Sequence, residues 1–180
     1  MQLLKQGDNA PVLITKDLYG KEYKTGKNDN WTFLSFHRFS ACPFCNTRTH
    51  ELKMAYPKFK EQNIEIYSIW PSTAESMKEY INNDQGSFPL IPDKQQILFE
   101  AYVVTHRSAV SALRLLAKPL LMTKAMKNTK KNMRIDGVVD LHPANFLVNP
   151  DGVIVLAHYG KHYADHLPLQ EIFAARNTFA

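Results

Sequence analysis

One stretch, Trp31 to His50 (WTFLSFHRFSACPFCNTRTH), constrains this chain more than any other, because an apolar run ends in a short polar corner followed by Cys42-Pro43-Phe44-Cys45. Both cysteines of the protein lie here. Trp31 to Phe36 is dense in aromatic and apolar residues without strict alternation, the pattern of a central strand covered on both faces. A helix follows. Pro43 suits its first position, where a missing N–H would be unbonded anyway, and Leu52, Ala55, Tyr56 and Phe59 continue an apolar face at helical spacing. Cys42 is then the N-cap, and Cys45 sits one turn on.

Helix rise and radius place Cα atoms three residues apart at about 5 Å, inside the range a disulfide tolerates. The pair can close and open without backbone rearrangement. Unpaired N–H groups and the positive end of the helix dipole stabilise an anion at the N-cap, so the Cys42 thiol should ionise below the roughly 8.5 of a free thiol. Arg38, four residues earlier, adds positive charge if the corner turns it inward; the alternative is a solvated strand end. His37 and His50 read as surface or helix-face histidines.

At 180 residues the chain suits one well-buried core, so a single domain over 1–180 is expected. Met1 to Asp8 lacks the apolar core of a signal peptide, and no stretch approaches the run of about 18 apolar residues of a membrane span. Cytoplasmic placement is the expectation. In a reducing compartment two cysteines three apart usually serve redox or metal chemistry. The net charge of +5 argues only weakly for acidic partners and for no specific nucleic acid.

Gly7 to Gly26 reads as a short hairpin with its turn near Tyr19-Gly20, added to an edge of the sheet. Beyond the cysteine-bearing helix, which should run to about Gln62 with a kink or late break at Pro57, Ile64 to Trp70 forms a second β-rich run, completing a right-handed parallel unit. A helix over Ala74 to Asn82 is capped by Ser72 or Thr73. A short extended piece at Phe88 to Asp93 and a short helix over Gln95 to Tyr102 come next. From Thr105 to about Asn132 helical spacing returns, rich in Lys and Arg, with no Asp or Glu between Glu100 and Asp136. This segment of about 105–135 is either a basic face for an acidic partner or a surface helix whose stems cover apolar area. Asn145 to Asn149 and Val153 to His158, joined at Pro150-Asp151-Gly152, form a hairpin, and a helix over Leu167 to about Asn177 closes the chain.

This order is similar to a thioredoxin-like fold: a central mixed sheet flanked by helices, with an N-terminal hairpin and a helical insertion before the last hairpin. More narrowly, the chain resembles the peroxiredoxin-like branch of the alkyl hydroperoxide reductase and thiol-specific antioxidant superfamily. The resemblance is carried by Gly7-Asp8-Asn9-Ala10-Pro11, Phe36-His37-Arg38 with Cys42-Pro43-Phe44-Cys45, Pro143 to Gly152, and Ala157-His158 with Ala164-Asp165-His166. It implies a cis Pro143 facing the cysteines, with His142 beside the disulfide and Pro43 and Phe44 contacting substrate. No bound cofactor is implied.

The family carries a Thr three residues before its peroxide-reactive cysteine, and here that position is Phe39. The expected activity is therefore thiol-disulfide exchange, with Cys42 as nucleophile, Cys45 as resolving thiol and Arg38 as activating charge; thiol-dependent reduction of hydroperoxides is the alternative. A disulfide substrate requires an exposed Cys42, whereas a peroxide requires donors to its leaving oxygen, for which Arg38 is the nearby candidate. Substrates would be a small thiol, a protein disulfide or a hydroperoxide, and a dithiol reductant such as thioredoxin or glutaredoxin would restore the pair; a homodimer is compatible with this reading. Two further classes stay open, a metal module in which His50 or His142 joins the thiolates, and a non-catalytic scaffold.

Overall fold

The structure, a computed structural model, describes residues 2–81, 87–105 and 134–179. The basic segment expected over 105–135 lies outside the described residues except at its ends.

The elements in chain order are β1 (Ile14–Lys16), β2 (Glu22–Lys24), β3 (Trp31–Phe36), α1 (Pro43–Glu61), β4 (Ile64–Trp70), α2 (Ala74–Tyr80), β5 (Leu90–Pro92), α3 (Ile97–Ala101), β6 (Ala144–Val148), β7 (Ile154–Tyr159) and α4 (Leu169–Thr178). Five strands make one sheet in the order β5-β4-β3-β6-β7, with β3 parallel to β4, β4 parallel to β5, and the β6–β7 hairpin antiparallel beside β3. Every residue of β3 is buried, as expected of a strand covered on both faces. The pleat sends Trp31 and Phe33 into a core with α1, α2 and α4, and Leu34 and Phe36 into a second core with Phe99, Tyr102 and Phe146. The mixed sheet between helices is the thioredoxin-like architecture.

Two local expectations change. The hairpin β1–β2 is a separate two-stranded sheet and does not extend the ladder. It is tied to β5 by Leu18, which is buried and whose N–H donates to the Leu90 carbonyl. Pro57 does not break α1, which continues to Glu61; the helix is held there by packing of Leu52 and Phe59 under the sheet.

Candidate active site

The corner Arg38 to Ala41 hangs between the end of β3 and α1, and hydrogen bonds hold both sides of it. The Cys42 N–H donates to the Phe39 carbonyl at 3.0 Å, and the Asn46 amide reaches back to the Ser40 carbonyl at 3.0 Å. Cys42 is the N-cap of α1, with Pro43 in the first turn. From the other side Asp136 accepts from the hydroxyls of Ser40 and Ser72 at 3.0 and 2.9 Å and from the Thr73 N–H at 3.2 Å, pinning the Arg134–Leu141 segment across the corner. Only a glycine fits at 137. A Cβ there would lie 2.7 Å from the Arg38 carbonyl oxygen and 2.8 Å from Phe39 Cβ.

Arg38 turns inward and is 4% exposed. Its Nη1 donates to Cys42 Sγ at 3.6 Å, Nη2 donates to the Val139 carbonyl, and the guanidinium lies 3.7 Å from the centre of the Tyr163 ring. Packing and the aromatic face offset the desolvation of a cation that has no carboxylate partner among the described residues.

Cys42 and Cys45 are free thiols. Burial by itself raises the Cys42 thiol, but a hydrogen bond from the Cys45 thiol, the Arg38 charge and the N–H groups of Cys45 and Phe44 outweigh it, bringing the pKa down to about 7. Cys45 moves the opposite way, well above the ordinary thiol range, because burial and the adjacent Cys42 sulfur both penalise its anion. One proton is shared unequally. The arrangement supplies a thiolate at Cys42 and a protonated partner at Cys45.

Neither sulfur-bearing residue has any exposed surface. The exposed Cys42 that disulfide exchange calls for is thus not what the fold presents: Arg38 lies against the sulfur, and Phe39 shares its core cluster. Contact with any disulfide requires that cover to move.

His142 is buried, its Nδ1 donating to the Gly160 carbonyl at 2.7 Å and its ring edge-on to Tyr163. Tyr163 and Arg38 link it to Cys42. Pro143 accepts from the Gly160 N–H at 2.8 Å, and its peptide bond, like every other described one, is trans, so the cis geometry implied by the resemblance is corrected. Here Gly160 closes against the Pro143 ring and carbonyl, at 3.0 and 2.9 Å from where a Cβ would sit, and fixes the entry to β6 in that form. Pro43 and Phe44 are half-buried on the outer side of the cysteine turn.

His37 overturns the surface reading. It is fully buried, stacked on Trp70 with ring centres 4.1 Å apart and bonded through Nε2 to Ser68 Oγ, because the β3 pleat carries it onto the α1 face of the sheet. His50 is exposed on α1. Among the described residues no three His, Cys, Asp or Glu side chains converge as a metal site. Asp136, Val139 and Tyr163 escaped sequence reasoning, since each acts from far along the chain, and no local motif marks them.

The chain belongs to the AhpC/TSA family, whose model matches residues 6–157. Among curated relatives, the thiol-disulfide oxidoreductase ResA of Bacillus thuringiensis (strain Al Hakam) is 31% identical over 101 residues, 54% of this chain and 57% of that protein. ResA of Halalkalibacterium halodurans is 26% identical over 102 residues, 56% and 57% of the two chains. The matches therefore span less than two thirds of those relatives. Of solved structures, a peroxiredoxin-like protein from Aquifex aeolicus superposes with TM-score 0.70 at 13% identity, covering 100% of this chain and 90% of that one. The thioredoxin domain of a thiol-disulfide oxidoreductase from Bacteroides vulgatus gives TM-score 0.59 at 20% identity, covering 98% of each chain. These likenesses show the fold. No helix among the described residues is long and apolar enough to cross a membrane.

Proposed function

We propose that the protein is a thiol-disulfide oxidoreductase of peroxiredoxin-like type working through Cys42 and Cys45. The observation that carries the reading is the paired thiols at the α1 N-terminus, Cys42 held near neutrality by Arg38 and by hydrogen bonds that favour its anion. The name of the matched ResA relatives supports the same chemistry.

In the first step Cys42 thiolate attacks one sulfur of the substrate disulfide; a Cys42–substrate bond forms, the substrate S–S bond breaks, and the leaving thiolate takes a proton. Cys45, losing its proton, then attacks Cys42 sulfur and expels the second substrate thiolate, which is protonated in turn. The net change is two substrate thiols made and one protein dithiol oxidised. A cellular dithiol such as thioredoxin or glutaredoxin reverses the oxidation. Cys42, Cys45 and Arg38 are the reacting and activating groups in this reading, and Pro43, Phe44, His142 and Pro143 bound the face that meets substrate. One domain over 1–180, residence in the cytoplasm and assembly as a homodimer complete it.

A second reading, reduction of a hydroperoxide in an antioxidant role, is favoured by the complete burial of Cys42, which admits a small molecule more readily than a disulfide. There Cys42 sulfur takes the terminal peroxide oxygen, the O–O bond breaks, the departing alkoxide is protonated, and Cys45 displaces water from the sulfenic acid.

Disulfide reduction and peroxide consumption, each followed with and without a dithiol, test the two together. Faster turnover of a disulfide supports the first reading; fast turnover confined to hydroperoxides replaces it with the second.

A further inference from the structure

A cavity of about 360 Å³ opens beside the cysteine turn, between the first turns of α1 and the segment leading into α4. Phe44, Thr47, Arg48, Glu51, His166 and Gln170 line it. Phe44 stands between the two cysteines in sequence, and Arg48 is one turn beyond Cys45, about 4.5 Å farther along the helix axis. The cavity therefore begins where the redox pair ends.

Three nitrogens of its lining side chains have no partner among the described residues. Arg48 is 5% exposed; its Nη2 donates to the Leu167 carbonyl at 2.8 Å and its Nη1 stands 3.6 Å from Glu51, while Nε, shut off from solvent, has no partner. Both ring nitrogens of His166 are likewise sealed from solvent and unpartnered, as is Nδ1 of His37, whose ring centre lies 5.6 Å from that of His166. Each unsatisfied buried polar group costs about 1–3 kcal/mol. Such groups call for a partner, and because these are closed to water a guest meets them only when the Arg48 and His166 side chains turn toward the cavity.

Their chemistry is specific. Arg48 is a buried cation: burial lowers its pKa to about 10, so it stays charged at neutral pH. Glu51, its side chain 40% exposed, puts a carboxylate beside it at the rim. A neutral imidazole at 166 offers one donor and one acceptor. A cation and an anion side by side, with a donor–acceptor between, complement a zwitterion.

We propose that this cavity binds the amino-acid end of a low-molecular-weight thiol and of its disulfide, the α-carboxylate on Arg48 and His166, the α-ammonium on Glu51, and the sulfur toward Phe44 and the cysteine pair. The sulfur's fate rests on the oxidoreductase reading; the binding does not. A half-cystine inside a protein has its amino and carboxyl groups in peptide bonds, so the cavity selects small amino-acid disulfides over protein ones. With L-cystine the two steps given above yield two cysteines and the Cys42–Cys45 disulfide.

The test separates binding from turnover. S-methyl-L-cysteine, which has no exchangeable sulfur, is titrated into the reduced full-length protein by calorimetry beside 2-(methylthio)ethylamine, which lacks the carboxylate, and 3-(methylthio)propionate, which lacks the ammonium. The zwitterion should saturate one site and bind about tenfold or more tighter than either analogue. Equal affinity for all three, or no binding, overturns the inference whatever the protein does with disulfides. Arg48→Met should weaken the zwitterion about tenfold or more. If that variant does not fold, Glu51→Gln serves instead, and should erase the preference for S-methyl-L-cysteine over methylthiopropionate; an unchanged preference overturns the proposal. Turnover of L-cystine against bis(2-hydroxyethyl) disulfide is measured in parallel. Binding without turnover of either sinks the redox reading and leaves the site standing.

Discussion

Two buried polar clusters flank the start of α1, and they are satisfied to different degrees. At the cysteine corner both terminal nitrogens of Arg38 are matched, by Cys42 sulfur and a carbonyl, and its plane lies on an aromatic face; only its Nε lacks a partner among the described residues, so a buried cation is held in one orientation with its field on one thiol. On the sheet face below α1, Ser68, Ser35, Asn145 and His158 form a row across four strands, with His37 just beyond it. That row is paired throughout, and the gaps lie beside it. Asn145 bridges the Ser35 hydroxyl to the Leu167 N–H, but His37, His166 and Arg48 keep unpartnered nitrogens. The first cluster aims its charge at one sulfur, whereas the second leaves more of its nitrogens unpaired and turns no charge on a reacting atom.

The most severe way to break the first cluster is Cys42→Ser. Loss of the nucleophile should lower disulfide reduction by about 10³-fold or more, measured in steady state. Cys45→Ser should instead stop the reaction at a mixed disulfide on Cys42, visible as a mass increase equal to one substrate half.

Acid probes the second cluster. Burial, and secondarily the Arg48 charge, lowers His37 to about 3 from 6.5, and burial likewise lowers His166 well below that value. Between pH 6.5 and about 3 the unfolded chain therefore binds more protons than the folded one, and stability falls as pH falls through that window, by on the order of a few kcal/mol. His37→Gln should flatten the decline in Tm measured from pH 7 to pH 4.

Arg38→Met sharpens the contrast by removing the charge that only the first cluster uses. The Cys42 alkylation midpoint, expected near 7 in the natural protein, should rise by about one unit or more, slowing alkylation at pH 7 about fivefold or more. The sign for stability is the same as for the histidines, in a window at higher pH. With Cys42 ionising near 7 folded and near 9.0 unfolded, its contribution is complete above 9.0 and vanishes as pH falls through 7. An unchanged midpoint in the variant would mean that the helix end alone activates the thiol.

The smallest effect concerns the strap over the corner. Asp136→Ala deletes three hydrogen bonds to Ser40, Ser72 and Thr73, and should cost about 1–3 kcal/mol in urea unfolding while raising the alkylation rate of Cys42. Slower alkylation would mean that the strap activates more than it covers.

The local frame was legible from the residues alone: a buried strand, a proline-led turn of helix with a cysteine at its cap, a second strand, and a late Asp-Gly hairpin. Those depend on residues a few positions apart, where pleat, helix repeat and turn chemistry act directly. Tertiary structure decided the rest. Whether Arg38 faced water or sulfur depended on Val139 and Tyr163, more than a hundred residues away, and tertiary packing buried a thiol that local pattern left open. His37, read from its neighbours as a surface residue, became a core residue because strand pairing placed Trp70 and Ser68 beside it. Burial is a property of what packs against a residue, and a packing partner is not encoded in the residues next door.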